Sequence, residues 1–370
     1  MNIVLRKCRY VVKSFKPFHI IENADIVIDE NTISCVGECS NVHGYDVLHC
    51  ENSIALSGFV SSHTHIFTKS WGWQTIEIAE KALKALAIHG FALVHIADNY
   101  FDGVCEIANK IGLRVSTGPL IKSYGDLKNL VIAKNLKRDL CIPSINVELS
   151  ASIDDDTLRE VRDFAIENKI NLHLILPQNV ANILSFYKTR GEWIINHLYK
   201  LGLLSKNVCL AHFSWATTWE VEKVAQSEAS IAVTPYSDSI KGVYGSVHPK
   251  LFELKNISIG IDDIWGRAGT SIIYDVIAMQ SVYSTKTWGI YPSIEEVLHY
   301  ATRGGSQALN IETGIIDIGK LADIVVVKMN KLDLFRDMSK TILNSINTLK
   351  YVIVNGKVIW ARNSNSILQH

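Results

Sequence analysis

The sequence of 370 residues predicts an α/β fold: a (β/α)8 barrel with a small β-sandwich formed from both termini. Eight short apolar or β-branched runs lie between residues 57 and 313, and most are followed by a helix-like pattern. Strands that alternate with helices pair in parallel, because a helix makes each return to the sheet. The region has about the 250 residues typical of such a barrel. No G-x-G-x-x-G follows an early strand, which disfavours the competing dinucleotide-binding open sheet.

The eight predicted strands lie at 59–63, 91–97, 113–117, 142–148, 170–176, 207–212, 230–234 and 257–261. Between the first two, residues 75–89 place Ile76, Ala79, Leu83 and Leu86 at helical spacing. Asp154 and Asp155 precede a second amphipathic stretch at 158–166, and acidic residues commonly begin helices. These patterns support the alternation of strands and helices.

The two ends of the chain are poorer in helix signals. The N-terminal end has strand-like pieces at 3–5, 24–28, 32–36 and 47–48, and the C-terminal end has them at 322–327, 349–354 and 357–360. Asn355-Gly356 between the last two is a hairpin-turn signal. We therefore expect 1–56 and 314–370 to form the β-sandwich around an inserted barrel at 57–313.

Composition limits the classes of partner. Lys+Arg and Asp+Glu are both 37, so there is no net charge that attracts nucleic acid or an anionic membrane. No run approaches the ~18 apolar residues of a spanning helix, and the first residues lack a signal peptide's apolar segment. Seven scattered cysteines without a C-x-x-C argue against a disulfide framework and a four-cysteine zinc site. We expect a cytoplasmic protein with a small-molecule substrate, and no nucleic-acid or membrane partner.

Polar residues that could bind a metal follow several of the predicted strands. His63 and His65 end the first strand, and the side-chain period of two places both imidazoles on one face. His173, His212 and Asp262 lie at or near the ends of later strands. Each alone is more typical of a core histidine or a helix-capping aspartate than of a metal ligand. Together they lie where barrel enzymes have their active sites, and imidazoles with a carboxylate are a hydrolytic metal set.

Several segments resemble the amidohydrolase superfamily, in particular its chlorohydrolase/deaminase branch. Residues 56–65, Leu-Ser-Gly-Phe-Val-Ser-Ser-His-Thr-His, resemble the "PGFVxxHTH" signature. Further matches run along most of the chain: Asn171-Leu-His173, Leu210-Ala-His212, Thr234-Pro-Tyr-Ser-Asp238 with Gly245-Ser-Val-His-Pro249, Ile259-Gly-Ile-Asp262, and Gly319-Lys-Leu-Ala-Asp-Ile-Val-Val-Val327. The last resembles the return into a β-sandwich made from both termini. The resemblance therefore implies the same fold as the strand pattern.

The resemblance also implies roles for individual residues. One divalent metal, Zn2+ or alternatively Fe2+, would be held by four ligands: His63, His65, His173 and Asp262. His212 would contact water or the polarised atom of the substrate, and Asp262 would also take the proton of the water. A homodimer is expected from the resemblance alone.

The sequence departs from this branch where the substrate is read. Relatives usually carry a Glu three residues beyond the strand-5 histidine, but this chain has Leu176, followed by Pro177 and Gln178. The stretch after the H-x-H pair is also shorter, and Ser57 replaces the usual Pro. A leucine cannot donate a proton, and acid catalysis of that kind is typically worth ~10²–10⁴ in rate. Deamination of an aromatic ring therefore becomes less favourable than hydrolysis of an amide-like group.

Three functions follow in order. The first is hydrolysis of a non-peptide C–N bond (amide-like, cyclic amide or amidine) or a related C–X bond. The second is deamination of an amino-heterocycle of the purine or pyrimidine type, and the third is a catalytically silent protein that binds a metal or ligand. Further residues that could contact the substrate are Trp71, Trp73, His95, Glu148, Gln178 and His248.

Overall fold

The computed structural model describes residues 2–40, 42–67, 75–99, 103–136, 139–243, 249–283, 289, 291–329 and 337–362. Two sheets account for the strands in these ranges. None of the helices described is long and apolar enough to cross a membrane.

The first sheet is a parallel, TIM-like barrel. Its strands follow one another in chain order: Phe59–His65, Phe91–Ile96, Arg114–Thr117, Cys141–Glu148, Asn171–Ile175, Val208–Ala211, Ser230–Val233, and Ile257–Ile259 continued by Asp262–Asp263, with the short Leu120–Ile121 beside the fourth. Ile257–Ile259 pairs with Ser230–Val233, and Asp262–Asp263 pairs with Phe59–His65. The last segment therefore contacts both the seventh strand and the first, which closes the sheet. Each of the eight predicted strands overlaps one of these.

Helices connect the barrel strands and continue beyond them. They span Ile76–Ala87, Val104–Ile111, Leu130–Asn135, Asp155–Asn168, Val180–Arg190, Ile194–Lys200, Thr218–Ser227, Pro235–Lys241, Ile273–Ala278, Ile294–His299, Gly305–Ala308 and Met338–Ser345, with tighter turns at Tyr124–Asn129 and Pro249–Glu253 and wider ones at Met279–Tyr283 and Tyr300–Gly304. Thr75 and Asp154 cap the two helices that the sequence predicts, since their side chains accept from the amides of Ile78 and Thr157. The helix Met338–Ser345 was not predicted.

The second sheet contains strands from both ends of the chain: Ile3–Phe15, Phe18–Asp29, Thr32–Gly37, Asp46–His49, Ser53–Ser57, Ile324–Lys328, Leu349–Val354 and Lys357–Ala361. Ser53–Ser57 pairs with Ile3–Phe15 on one side and with Ile324–Lys328 on the other. The N-terminal and C-terminal strands therefore meet within one sheet.

Two hydrophobic cores flank this terminal sheet. Val325 and Val327 belong to the large core shared with the barrel, whereas Ile324 and Val326 belong to a smaller core with Leu5. This alternation follows from the side-chain period of two. The terminal sheet is therefore packed against the barrel through one face and has its own apolar contacts on the other.

The prediction that the cysteines do not form disulfides is wrong. The structure pairs six of the seven as disulfides, Cys8–Cys50, Cys35–Cys39 and Cys105–Cys141, and leaves Cys209 buried and free. The pairs could not be predicted from the positions of the cysteines in the chain, because the pairing of the strands decides which cysteines lie next to each other. Cys8 lies in a strand whose neighbour Ser53–Ser57 begins just after Cys50.

Candidate active site

Three potential metal ligands converge at the carboxyl end of the barrel strands. His63 Nε2 and His65 Nε2 each lie 3.8 Å from Asp262 Oδ1, and the ligand atoms of the three residues all lie within 4.8 Å of one another. The approach is close because Gly260 precedes Asp262: a Cβ at Gly260 would lie 2.6 Å from the Cβ of His63. The glycine therefore permits the last strand to bring its carboxylate to the histidine pair.

The second oxygen of Asp262 faces a helix. Ser237 Oγ donates a hydrogen bond of 2.6 Å to Asp262 Oδ2, and Lys241 Nζ donates to the same oxygen. Burial alone would raise the pKa of Asp262, but its electrostatic interactions with His212, His63 and Lys241 outweigh burial and hold that pKa well below its usual range. The carboxylate is therefore ionised at neutral pH, as a metal ligand must be.

Asp98 orients His65. Asp98 Oδ1 lies 2.8 Å from His65 Nδ1, and Asp98 Oδ2 accepts from the backbone amides of Ile66 and Phe67 at 2.7 and 3.1 Å. Burial would lower the pKa of His65, but the Asp98 carboxylate outweighs it and the pKa is raised. A carboxylate on Nδ1 directs the Nε2 lone pair toward a cation, as is usual for histidine ligands.

His173 lies against His63 rather than within the three-residue cluster. His173 Nε2 is 2.8 Å from His63 Nδ1, and the two rings stack with centroids 5.0 Å apart. Its Nδ1 is buried without a hydrogen-bond partner among the described residues. Burial and the neighbouring histidines, His95 first, hold the pKa of His173 well below its usual value. The imidazole is therefore neutral.

His212 closes the other side of the cluster. Its ring centroid is 4.7 Å from that of His63, in an edge-on arrangement. Its Nδ1 lies 2.8 Å from Gln178 Nε2 and 3.0 Å from Thr234 Oγ1. Burial first, with Lys241 and His65 adding, lowers its pKa to about 4 although Asp262 opposes the shift. Gln178 therefore lies at the site. Leu176, two residues before it in the chain, is buried.

The remaining predicted residues have different surroundings. His95 is buried one step further from the cluster, with hydrogen bonds to Ser116 and Asn146 and its ring 4.0 Å from that of His173. Burial lowers the pKa of His95 to about 4. Glu148 is partly exposed and forms an ion pair of 2.5 Å with Lys122. The predicted residues Trp71, Trp73 and His248 lie outside the described residues.

Four further residues surround His212 and Asp262 and were not among the predicted site residues: Thr234, Ser237, Asp238 and Lys241. Pro235–Lys241 directly follows the seventh strand, and Ser237 and Lys241 are four residues apart on one face of that helix. Two polar residues at this spacing, directly after a barrel strand, are the signal that could have identified Ser237 and Lys241.

The model of the "Amidohydrolase family" matches residues 54–359. A 5'-deoxyadenosine deaminase of Methanosarcina acetivorans is 23% identical, with 97% of this chain and 93% of that protein covered. A 5-methylthioadenosine/S-adenosylhomocysteine deaminase of Thermococcus sibiricus is 25% identical over 92% of this chain and 90% of that protein.

Solved structures are similar over nearly the whole chain. An adenosine deaminase from Xanthomonas campestris with bound zinc has a TM-score of 0.85 at 16% identity and covers 100% of this chain and 94% of its own. Atrazine chlorohydrolase from Arthrobacter aurescens, complexed with zinc, has a TM-score of 0.84 at 17% identity and covers 97% of this chain and 95% of its own. These likenesses show the fold.

Proposed function

Because the chain belongs to the amidohydrolase family, we propose that it is a metal-dependent hydrolase that cleaves a non-peptide C–N bond, or a related C–X bond, of a small molecule. The observation that carries this proposal is the convergence of His63, His65 and Asp262 at the carboxyl end of the barrel. Intact, converging ligands support catalysis over a silent binding role, since a protein that only keeps the fold has no physical need for them.

The residues present fit a divalent cation. His63 Nε2 is fully buried and has no hydrogen-bond partner among the described residues, although it faces the Asp262 carboxylate at 3.8 Å. A buried polar atom without a partner is costly unless an ion or water satisfies it. We propose that His63, His65, His173 and Asp262 hold one ion, Zn2+ or alternatively Fe2+, because imidazole and carboxylate suit both.

Asp262 and His212 have different roles beside that ion. When bound, a divalent ion lowers the pKa of a water from about 15.7 toward ~7 and polarises the scissile group. Asp262 accepts the proton of the water. Its Oδ2 accepts hydrogen bonds from Ser237 and Lys241, which hold the carboxylate beside the histidines. His212 stabilises the negative charge that develops on the substrate.

Leu176 determines the order of the candidate substrates. Attack of water on an amino-substituted aromatic ring requires protonation of a ring nitrogen, which a leucine cannot supply. An amide-like carbonyl needs less, because His212 can stabilise its oxyanion and a bound ion would supply further positive charge there. Hydrolysis of an amide-like, cyclic amide or amidine bond is therefore the first candidate.

Deamination of an amino-heterocycle is the second candidate. The observation in its favour is that the two relatives described above, each aligned with more than nine-tenths of this chain, are named as deaminases of adenosine-type compounds. The half-buried Gln178 and the buried His212 offer N–H groups at a site where Leu176 supplies no acid.

Metal analysis and a substrate screen test the proposal. Purified, reconstituted protein should contain about one equivalent of Zn2+ or Fe2+, and His173→Ala should reduce it. Less than about a tenth of an equivalent per chain contradicts the metal site. The loaded protein is then assayed against N-acyl, carbamoyl, cyclic amide, halo-heterocycle and amino-heterocycle compounds. Turnover of aminopurines or aminopyrimidines alone, with kcat/KM of ~10⁴ M⁻¹s⁻¹ or above, would reverse the order of the two candidates.

We also propose the division into a barrel at 57–313 and a β-sandwich at 1–56 and 314–370. The smaller apolar core supports it, because Leu5, Ile26 and Ile353 pack together on the face of the terminal sheet turned away from the barrel. A homodimer is a further proposal, tested by sedimentation.

A further inference from the structure

A second concave site lies at the amino end of the barrel, where the barrel meets the terminal sheet. It is a cleft of about 580 Å3, a volume typical of sites for small organic molecules. It is lined by the turn between the strands Ile3–Phe15 and Phe18–Asp29, by residues just before the barrel strand Ile257–Ile259, and by residues of the segment 299–307. The proposed metal ligands follow the carboxyl ends of the strands, so the cleft lies at the opposite end of the barrel.

Positive charge predominates in this cleft. Its lining includes four basic residues and two acidic ones: Lys13, Lys16, Lys255 and Arg303, with Glu253 and Asp317. The chain as a whole has no net charge, so this local excess is not a general property of the surface. A concave site lined by one sign of charge concentrates ions of the other sign. The cleft is therefore electrostatically suited to an anion.

The lysines of the cleft are available to such an anion. Lys13 Nζ lies 2.9 Å from Asp317 Oδ1, and Lys16 Nζ lies 3.0 Å from Glu296 Oε1, but these carboxylate side chains are 50% and 35% exposed. Ion pairs this open to solvent contribute little, so the lysines can exchange partners at small cost. Lys255 is exposed and forms no ion pair within the described ranges.

The floor of the cleft has polar groups without partners. Tyr300 is only 1% exposed, and neither its Oη nor Nδ1 of the neighbouring His299 has a hydrogen-bond partner among the described residues. A phenol and a neutral imidazole each have one proton to donate. Buried polar groups in native structures are almost always satisfied by protein, ligand or water. An acceptor is therefore missing at this floor, and an anion, or a water that the anion traps there, would supply it.

The backbone at the floor is also unusual. Tyr300 and Arg303 belong to the wide turn Tyr300–Gly304, in which the helix has π-type hydrogen bonding. Such turns are rare and are frequent at functional sites. Arg303 Nη1 donates to the carbonyl of Thr313 at 3.1 Å, so the guanidinium is already held in place at the cleft. A fixed, planar set of donors loses little entropy when it binds a phosphate.

We propose that this cleft binds the phosphate group of a small organic molecule. Several cations with neutral donors beneath them suit the three terminal oxygens of a phosphate monoester. Leu254, Ile315 and Ile316 line the rest of the cleft and offer apolar contacts to the organic part. The cleft shares no residue with the proposed metal site, so this inference goes beyond the proposed function and does not depend on it.

Calorimetric titration of the full-length, metal-loaded protein in phosphate-free buffer tests the ligand. The probes are ribose 5-phosphate, inorganic phosphate and ribose. None of them contains a C–N bond, so the proposed activity does not consume them. We expect about one equivalent of ribose 5-phosphate to bind with a Kd of ~1 mM or below, and ribose not to bind.

The two phosphate probes identify the source of the group. Tighter binding of ribose 5-phosphate supports an organic phosphate, because the organic part adds apolar contacts. Equal affinity for the two supports a phosphate site whose ligand is the free ion. Absence of saturable binding of both probes up to about 10 mM would overturn the inference.

Charge reversal tests the location. Lys255→Glu should weaken binding of ribose 5-phosphate about tenfold or more, because repulsion replaces attraction, whereas Lys255→Arg keeps the charge and should bind like the wild type. Lys128→Glu is the matched control, since Lys128 is also exposed but does not line the cleft. It should leave the Kd within about twofold of the wild type. Equal weakening in Lys128→Glu and Lys255→Glu, or unchanged binding in Lys255→Glu, would contradict the site.

Tyr300→Phe tests the floor, because it removes only the hydroxyl group. That hydroxyl has no partner among the described residues, so the unliganded variant should unfold at the same denaturant concentration as the wild type. Affinity for ribose 5-phosphate should fall about threefold to tenfold, the usual effect of losing one hydrogen bond. A less stable unliganded variant with unchanged affinity would show a structural hydroxyl and contradict its part in the site. These readouts need no turnover, so they stand apart from the outcome of the substrate screen.

Discussion

The two ends of the barrel are built from the same eight strands and have opposite chemistry. At the carboxyl ends, polar groups converge: His63, His212 and Asp262 are buried, and His65 is half-buried. At the amino ends, the strands meet the terminal sheet through apolar side chains and one buried ion pair, Arg114 with Asp323. Barrel enzymes generally separate function and stability in this way, with reactive groups at one end and structural ones at the other.

The two ends differ in whether their buried polar groups have hydrogen-bond partners within the protein. Arg114 also donates to Asn355, and the Asp323 carboxylate accepts from the Asn355 amide at 2.8 Å, so the structural pair is satisfied within the protein. At the mouth, His63 Nε2 has no partner in the described part of the chain. Binding of a cation would offset that cost. Variants at the carboxyl ends of the strands should therefore change activity, and variants at the amino ends should change stability.

The largest expected effect is that of Asp262→Asn. An amide is a poorer ligand and a poorer base than a carboxylate, so kcat should fall by ~10²–10⁴ or more. The free energy of unfolding should change little, so the loss of activity is not a loss of folded protein. Steady-state kinetics on the metal-loaded variant, with denaturant unfolding alongside, provide the measurement.

Asp156→Asn is the matched control for this prediction. Asp156 lies in the helix Asp155–Asn168, and its side chain is 84% exposed. It should retain wild-type activity. A catalytically silent protein would show no turnover in either variant or in the wild type, and equal turnover in Asp262→Asn and wild type would exclude the proposed base.

The next largest effect is expected at the other end of the barrel. Arg114→Met leaves the Asp323 carboxylate buried without its cation, and breaking a buried pair in this way costs about 3–5 kcal/mol. Both side chains are nearly inaccessible, at 6% and 0% exposure. Denaturant unfolding should show the loss, while kcat of the remaining folded protein stays near that of the wild type.

The control for this variant is an exposed ion pair. Lys81 and Glu77 pair across one helical turn with exposures of 65% and 75%, and such pairs contribute about 0–1 kcal/mol. Lys81→Met should therefore leave stability almost unchanged. If Arg114→Met were as mild as Lys81→Met, the amino end would not be held by this pair.

Much of this contrast could be predicted from the sequence, because strand periodicity is local. The eight barrel strands and the H-x-H pair follow from side-chain alternation and from runs of β-branched residues. The contact of Asp98 with His65 could not be predicted, because it depends on the pairing of two strands. The Lys241–Asp262 contact and the three disulfides depend likewise on which segments become neighbours in space. A single sequence does not contain that information.

The smallest expected effect concerns His299, near the amino end of the barrel. His299 lines a cleft of about 580 Å3 together with Lys16 and Arg303, and its Nδ1 is buried without a hydrogen-bond partner among the described residues. Burial first, and then the positive charges of Lys16 and Arg303, lower its pKa to about 4. The neutral ring is therefore the form that the folded protein accommodates.

The sign of the pH effect follows from that shift. Unfolding returns the pKa of His299 to about 6.5, so between pH 4 and 6.5 the unfolded chain binds more protons than the folded one. The stabilisation is complete above pH 6.5 and is lost as the pH falls toward 4. The full shift corresponds to about 3 kcal/mol, and partial access to solvent reduces this to about 1–2 kcal/mol. Unfolding in denaturant at pH 7 and pH 4.5 should show His299→Gln losing less stability than the wild type by about that amount. The histidines at the carboxyl ends of the strands contribute equally to the wild type and to His299→Gln. Identical losses of stability in the two proteins would therefore show that protonation of His299 does not cause the loss at low pH.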